Sequence, residues 1–279
     1  MNHNINVYKK KFSIGVVIIL STIVLFLIYI TFSKISLNKS SNKDFLITRN
    51  EIINNLEKQA YSNSKINSIL KNIDKYPSEL LELLSNNIET LDFVYDYPDH
   101  LQKNKKSISI KDYYKSGEIP LFLQWDEKWG YDKYGDDYIA VAGCAPTSLS
   151  MVAVGLTGNT DINPLVVSNY AYDNGFYVEG VGSSWSLIST GARHFGLNSQ
   201  ELSLSKSSIL STLEAGNPII VTVGPGTFTS TGHFLVLTGL TSDGKIKIND
   251  PNSKYNSSKS WDVDVFLKET RNLWKISKL

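Results

Sequence analysis

The chain contains a single cysteine, Cys144, so it forms no internal disulfide. It has only four histidines, and no Cys/His cluster stands at the spacing of a zinc site. Neither sign of charge is in surplus: 28 Lys and Arg face 27 Asp and Glu, a formal net charge of +1. No basic patch interleaved with aromatics occurs, so nucleic acid is excluded as an expected partner. There is no P-loop, no internal repeat and no motif that calls for a cofactor. Oligomeric state leaves no mark on the sequence.

One long apolar run is present. From Phe12 to Phe32 there is no charge, and Ile, Val, Leu and Phe dominate. About 20 such residues cross a bilayer core as a helix. A cleaved secretory signal is the rival reading, but the exit Tyr29-Ile30-Thr31-Phe32-Ser33-Lys34 lacks a small-residue cleavage pattern. The expectation is an uncleaved transmembrane anchor over residues 12–33. Lys9-Lys10-Lys11 before the span favours a cytoplasmic tail at 1–11 and an extracytoplasmic remainder. The protein is then expected in the cell membrane, as a single-pass chain held by its N-terminal helix.

Residues 34–44, mostly Ser, Asn and Lys, read as a linker. Residues 45–118 read as a helical extension. Leu46, Ile52, Ile53 and Leu56 form one apolar patch and Ile66, Ile69, Leu70 and Ile73 another. Pro77-Ser78-Glu79 opens a short helix, and Tyr97-Pro98 is expected to end the run after Glu89. Whether the first part packs on the rest or only spaces it from the membrane stays open. Residues 119–279 read as the globular core. Helices are expected after Cys144, from Asn163-Pro164, behind Ser183-Ser184 as far as Gly196, and behind Ser207-Ser208. Strands are expected at Pro218–Val223, His233–Leu240 and Lys245–Asn249, with Asp243-Gly244 as a hairpin turn. Trp261–Phe266 and Leu273–Ile276 are expected to add an edge strand and a tail. Helices first and antiparallel strands later make an α+β fold.

Cys144 lies between Gly143 and a run that opens an amphipathic helix: Ala145, Leu149, Val152, Ala153 and Leu156 share a face, and Gly158 stands at its end. Free N–H groups and the positive dipole end at a helix start favour a thiolate, which is how a nucleophilic cysteine is prepared. A small buried residue that happens to be Cys is the competing reading. His233 opens a strand that is apolar on both faces, where a titratable group needs a partner. Asp250 follows Ile246 and Ile248 on one strand face and can supply it, orienting His233 so that His233 takes the proton of Cys144. Asp250 could instead only bond backbone N–H groups of its own turn. Gln124 could donate into an oxyanion hole beside the Cys144 N–H. His194, near a helix end, reads as structural.

Gln124-Trp125-Asp126-Glu127-Lys128-Trp129-Gly130, Gly143-Cys144-Ala145-Pro146-Thr147-Ser148, Gly232-His233-Phe234 and Asn249-Asp250-Pro251 resemble, in this order, the motifs of the bacterial cysteine peptidases related to bacteriocin-processing (double-glycine leader) peptidases. The resemblance covers about residues 119–275 and implies a papain-like fold, with the nucleophile helix packed on an antiparallel sheet. It implies Cys144 as nucleophile, His233 as general base and acid, Asp250 as the group holding the imidazole and Gln124 as oxyanion donor. It implies a peptide or protein substrate. The best-known relatives are fused to ATP-driven exporters; this chain has one apolar span and no P-loop, so cleavage coupled to export does not carry over. The reading is a membrane-anchored cysteine peptidase acting on secreted or cell-envelope peptides. The alternatives are a peptidoglycan amidase or endopeptidase of the same superfamily, a non-catalytic peptide-binding module, and a structural anchor protein.

Overall fold

The computed structural model describes residues 48–61, 63–103 and 107–279. The expected tail at 1–11, anchor at 12–33 and linker at 34–44 lie outside the described residues. No helix among the described residues is long and apolar enough to cross a membrane. The chain divides into two compact units, Met1–Tyr61 and Ser62–Leu279. Of the first, residues 48–60 are helical (α1).

The second unit opens with α2 (Ser64–Lys71), a 3-10 turn, α3 (Ser78–Asn86), a second 3-10 turn at Ile88–Thr90, α4 (Leu91–Tyr95) and α5 (Tyr97–His100). The Asn63 side chain caps α2 by accepting from the amides of Lys65 and Ile66. Leu80, Leu81 and Leu84 bury one stripe of α3. The run after Glu89 ends as expected, with α4 stopping at Tyr95, and Pro98 belongs to a separate helix. It sits in the first turn of α5, where its missing N–H removes no helical bond. These helices pack on the Tyr131–Tyr138 stretch of the core: the Phe93 and Tyr131 rings stack at 4.0 Å, the Tyr131 hydroxyl donates to Phe93 O at 2.6 Å, and the Tyr97 and Tyr138 hydroxyls bond at 2.9 Å.

The core begins with a two-residue ribbon, β1 (Lys133–Tyr134) and β2 (Asp137–Tyr138), then α6 (Ile139–Ala142), α7 (Cys144–Thr157) and α8 (Pro164–Asp173). α7 ends at Gly158, whose φ of 73° gives the left-handed cap. Asn163 caps α8 through a bond from the Val166 amide. A second ribbon, β3 (Tyr177–Val178) and β4 (Gly182–Ser183), precedes α9 (Ser186–Ser189). The single helix expected from Ser184 to Phe195 is in fact two pieces. α9 gives way at Thr190 to a 3-10 turn over Gly191–Phe195, because Gly191 weakens the helix interior.

Next come β5 (Leu197–Glu201), α10 (Lys206–Glu214), β6 (Ile219–Val223), β7 (His233–Leu240), β8 (Ile246–Asn249), α11 (Lys254–Ser257), β9 (Ser260–Trp261), α12 (Val263–Glu269) and β10 (Thr270–Lys278). The six strands form an antiparallel sheet in the order β5-β10-β6-β7-β8-β9. α10 is capped by Ser205, two residues before the expected cap. Trp261–Phe266 is not one edge strand: it is the short β9 and the start of α12. Val263 and Phe266 have strand-forming side chains but bury at helical spacing. The expected C-terminal tail is an inner strand, paired with β5 on one side and β6 on the other. β5 itself, exposed and rich in polar residues, carries no strand pattern.

The sheet is covered on both faces. Leu149, Val152 and Ala153 of α7 pack with Ile220, Phe234, Val236 and Trp274. On the other face, Ile209 and Leu213 of α10 and Phe266 of α12 pack with Val221, Leu235, Leu237 and Ile248. This is why β6 and β7 read as unbroken apolar runs. α7 therefore lies across the middle of the sheet, with its first residue facing the start of β7.

Candidate active site

Cys144 is the first residue of α7 and is half-buried. The short α6 stops at Gly143, whose amide bonds the Ile139 carbonyl at 2.8 Å, and α7 starts immediately. Only glycine fits at this junction. A Cβ there would stand 2.4 Å from the Ile139 carbonyl oxygen and 2.6 Å from Ile139 Cγ2. Gly143→Ala is expected to destabilise the fold by about 1–3 kcal/mol, the range for forced overpacking. Thermal unfolding reads the effect, and an unchanged Tm would contradict this packing.

His233 opens β7 opposite Val223 of β6. Its Nε2 lies 2.7 Å from Asp250 Oδ1, which leaves Nδ1 as the ring nitrogen available to Cys144, whose thiol also helps raise the imidazole's pKa. His233 is 7% exposed and Asp250 1%. Burial lowers the imidazole's pKa, but the Asp250 carboxylate and Cys144 outweigh it, and the net effect is a rise above the ordinary histidine range. Burial likewise opposes the Asp250 charge. The imidazole and the bonds to Asp250 overcome it and hold the carboxyl below the usual range. Both shifts favour the charged form of the pair.

Asp250 is held on several sides. Oδ1 also accepts from the Asn252 amide at 2.8 Å, and Oδ2 accepts from Asn256 Nδ2 at 2.8 Å. Its own amide donates to Ser257 Oγ at 2.9 Å. Asp250 therefore bonds His233 as well as its own turn, so the reading in which it serves only its turn does not hold.

Gln124 is buried beside them. Its amide N–H donates to Pro251 O at 2.7 Å. Its side-chain Nε2 donates to Ala140 O at 2.7 Å and reaches Val141 O at 3.3 Å. Its Oε1 has no hydrogen-bond partner among the described residues. The strand end is laced to the same loop, because Asn249 Nδ2 donates to Ile119 O and Pro120 O and Trp125 Nε1 to Asn252 O.

Cys144, His233 and Gln124 line one cleft of about 730 Å³. The Gly226–Gly232 loop before His233 forms one wall, and Glu79, Glu82 and Leu83 of α3 contribute to another. No sequence signal marks α3 as a part of the cleft. Asn256 also went unmarked, whereas the Asp250-Pro251-Asn252 turn is read as backbone capping, which the Asn252 amide bond to Asp250 Oδ1 meets. His194 is exposed, stacks on Tyr170 at 4.1 Å and is not part of the cleft, as its structural reading expected. Among the described residues no group of His, Cys, Asp and Glu could hold a metal ion.

A helix that presents a cysteine to a histidine on an antiparallel sheet is the arrangement of the papain-like cysteine peptidases. The family model of the Peptidase C39-like family matches residues 117–278, and the chain belongs to that family. The resemblance carried by the four motifs holds at this level. Among solved structures, the peptidase domain of Streptococcus ComA, a bi-functional ABC transporter involved in a quorum-sensing pathway, is similar at 16% identity. That match covers 50% of this chain and 93% of the other, with a TM-score of 0.36. No curated protein matches the chain.

Proposed function

We propose that the chain is a membrane-anchored cysteine peptidase that hydrolyses peptide bonds of secreted or cell-envelope peptides. The observation that carries the reading is the buried His233–Asp250 pair, 2.7 Å apart, with Cys144 as the other neighbour of the imidazole at the mouth of a cleft. His233 holds the proton of the Cys144 thiol as an imidazolium, and the thiolate Sγ attacks the scissile carbonyl carbon. The Cys144 N–H, in a first helical turn without intrahelical acceptors, faces the developing oxyanion. A side-chain N–H of Gln124 joins it by leaving its longer contact, the one to Val141 O. His233 then protonates the leaving amine, and a water deprotonated by His233 hydrolyses the thioester. Asp250 stays ionised throughout and holds the ring.

The anchor rests on the uncharged run Phe12–Phe32, and the outward placement on the lysines before it. Among the described residues the cleft's formally charged lining is Glu79, Glu82 and Asp137, with no Lys or Arg. This supports peptides with a basic residue near the cut. Incubating the full chain with a peptide library, and separately with peptidoglycan, tests the reading by mass spectrometry of the products. Cuts in linear peptides, enriched near Lys or Arg, are the expected result. Release of stem-peptide fragments alone would favour the cell-wall enzyme, and no cleavage of either would favour the binding module.

A further inference from the structure

The helical segment before the family-matched region reaches into the turn that holds Asp250. Asn87 Nδ2 donates to Asn252 O at 2.6 Å. Glu89 receives a larger set of bonds. Its carboxylate accepts from Ser253 Oγ at 2.5 Å, from the Lys254 amide at 2.9 Å and from the Tyr255 amide at 3.3 Å. Glu89 is half-buried, and its own amide is fixed by Asn87 Oδ1 at 3.0 Å. The turn it holds is tied in its own right to Asp250. Ser253 Oγ accepts from the Asn256 amide, Asn256 Nδ2 donates to Asp250 Oδ2, and the Asn252 amide donates to Oδ1. Charge-assisted bonds of this kind are stronger than neutral ones, and they converge on one short turn.

We infer that Glu89 is a positioning residue for the active site: its carboxylate clamps the turn at residues 252–256, which fixes the Asp250 carboxylate and through it the His233 ring. The helical segment is thus a working part of the catalytic unit. Residues 87 and 89 lie outside the 117–278 match, so the clamp is an addition to the family domain. The inference rests on the assignment of His233 and Asp250 as catalytic.

The test uses the full chain and two variants, Glu89→Ala and Glu89→Gln, each first shown to be folded by circular dichroism. The imidazole of His233 is titrated by NMR, with Asp250 and Cys144 as the titratable groups that face it. A loosened Asp250 supports the imidazolium less well, so in Glu89→Ala the His233 titration is expected to move down by about one pH unit or more, with Glu89→Gln in between. Where peptide cleavage is measured, kcat in Glu89→Ala is expected to fall by about tenfold or more at nearly unchanged KM, the signature of a misplaced group rather than a lost binding contact. The alkaline limb of its pH profile moves down with the titration. A folded Glu89→Ala chain with the wild-type His233 titration overturns the inference, whether or not the chain cleaves peptides. An absence of cleavage in wild type with a shifted titration overturns only the peptidase reading.

Discussion

Cys144→Ala is expected to remove peptide cleavage altogether, lowering kcat/KM by roughly 10⁴- to 10⁶-fold, the range seen when a catalytic nucleophile is deleted. The fold should survive, because the side chain is half-buried and becomes smaller rather than larger. The chain has no second cysteine to take over. The comparison is made on whichever peptide wild type cuts fastest, with the variant's melting curve beside it. Cleavage by the Cys144→Ala chain at even a hundredth of the wild-type rate would remove Cys144 from the chemistry.

Asp250→Ala is expected to damage both activity and stability. It leaves His233, 7% exposed, without its carboxylate, and removes the acceptor that Asn252 and Asn256 share. Removing one partner of a buried ion pair costs about 3–5 kcal/mol. The loss in kcat is expected to approach about 10⁴-fold, as when a triad carboxylate is neutralised. Asp250→Asn keeps the shape and separates the two effects, since it should recover stability more than rate. The pH dependence has a definite sign. His233 is held above its unfolded value of 6.5, so its share of stability is full below 6.5 and fades as pH rises through the higher folded value. Asp250 is held below its unfolded value of 3.8, so its share is full above 3.8 and is lost as pH falls through the lower folded value. The Tm gap between wild type and Asp250→Ala should therefore be widest between pH 3.8 and 6.5. A gap that grows steadily towards alkaline pH would contradict the pair.

The residues of the candidate site were legible because each stands in a local pattern. Cys144 precedes a helical face, His233 opens a doubly apolar strand, Asp250 continues the buried face of Ile246 and Ile248, and Gln124 ends an apolar run. β6, β7 and β8 were legible for the same reason. What escaped depends on pairings distant in sequence. β10 is an inner strand only because β5 and β6 flank it, and Lys275 and Lys278 interrupt its apolar pattern. α12 was hidden because Val263 and Phe266 favour strands locally while their burial follows a helical period. The clamp on the Asp250 turn joins Asn87 to Asn252 and Glu89 to Ser253, across 165 and 164 residues. No window along the chain contains both ends. The α3 wall of the cleft escaped likewise, since Glu79 and Glu82 lie on the polar side of a helix whose leucines alone carry a pattern.

The most direct test of the Cys144–His233–Asp250 assignment is the alkylation rate of the single thiol as a function of pH, in wild type and in His233→Ala. An imidazolium held beside the sulfur should make Cys144 react rapidly well below pH 8, where an ordinary thiol, with a pKa of about 8.5, is slow. His233→Ala should abolish that low-pH reactivity and leave a rate that rises only at alkaline pH. Identical pH profiles for the two proteins, each rising only above about pH 8 as for an unassisted thiol, would contradict the assignment at its centre.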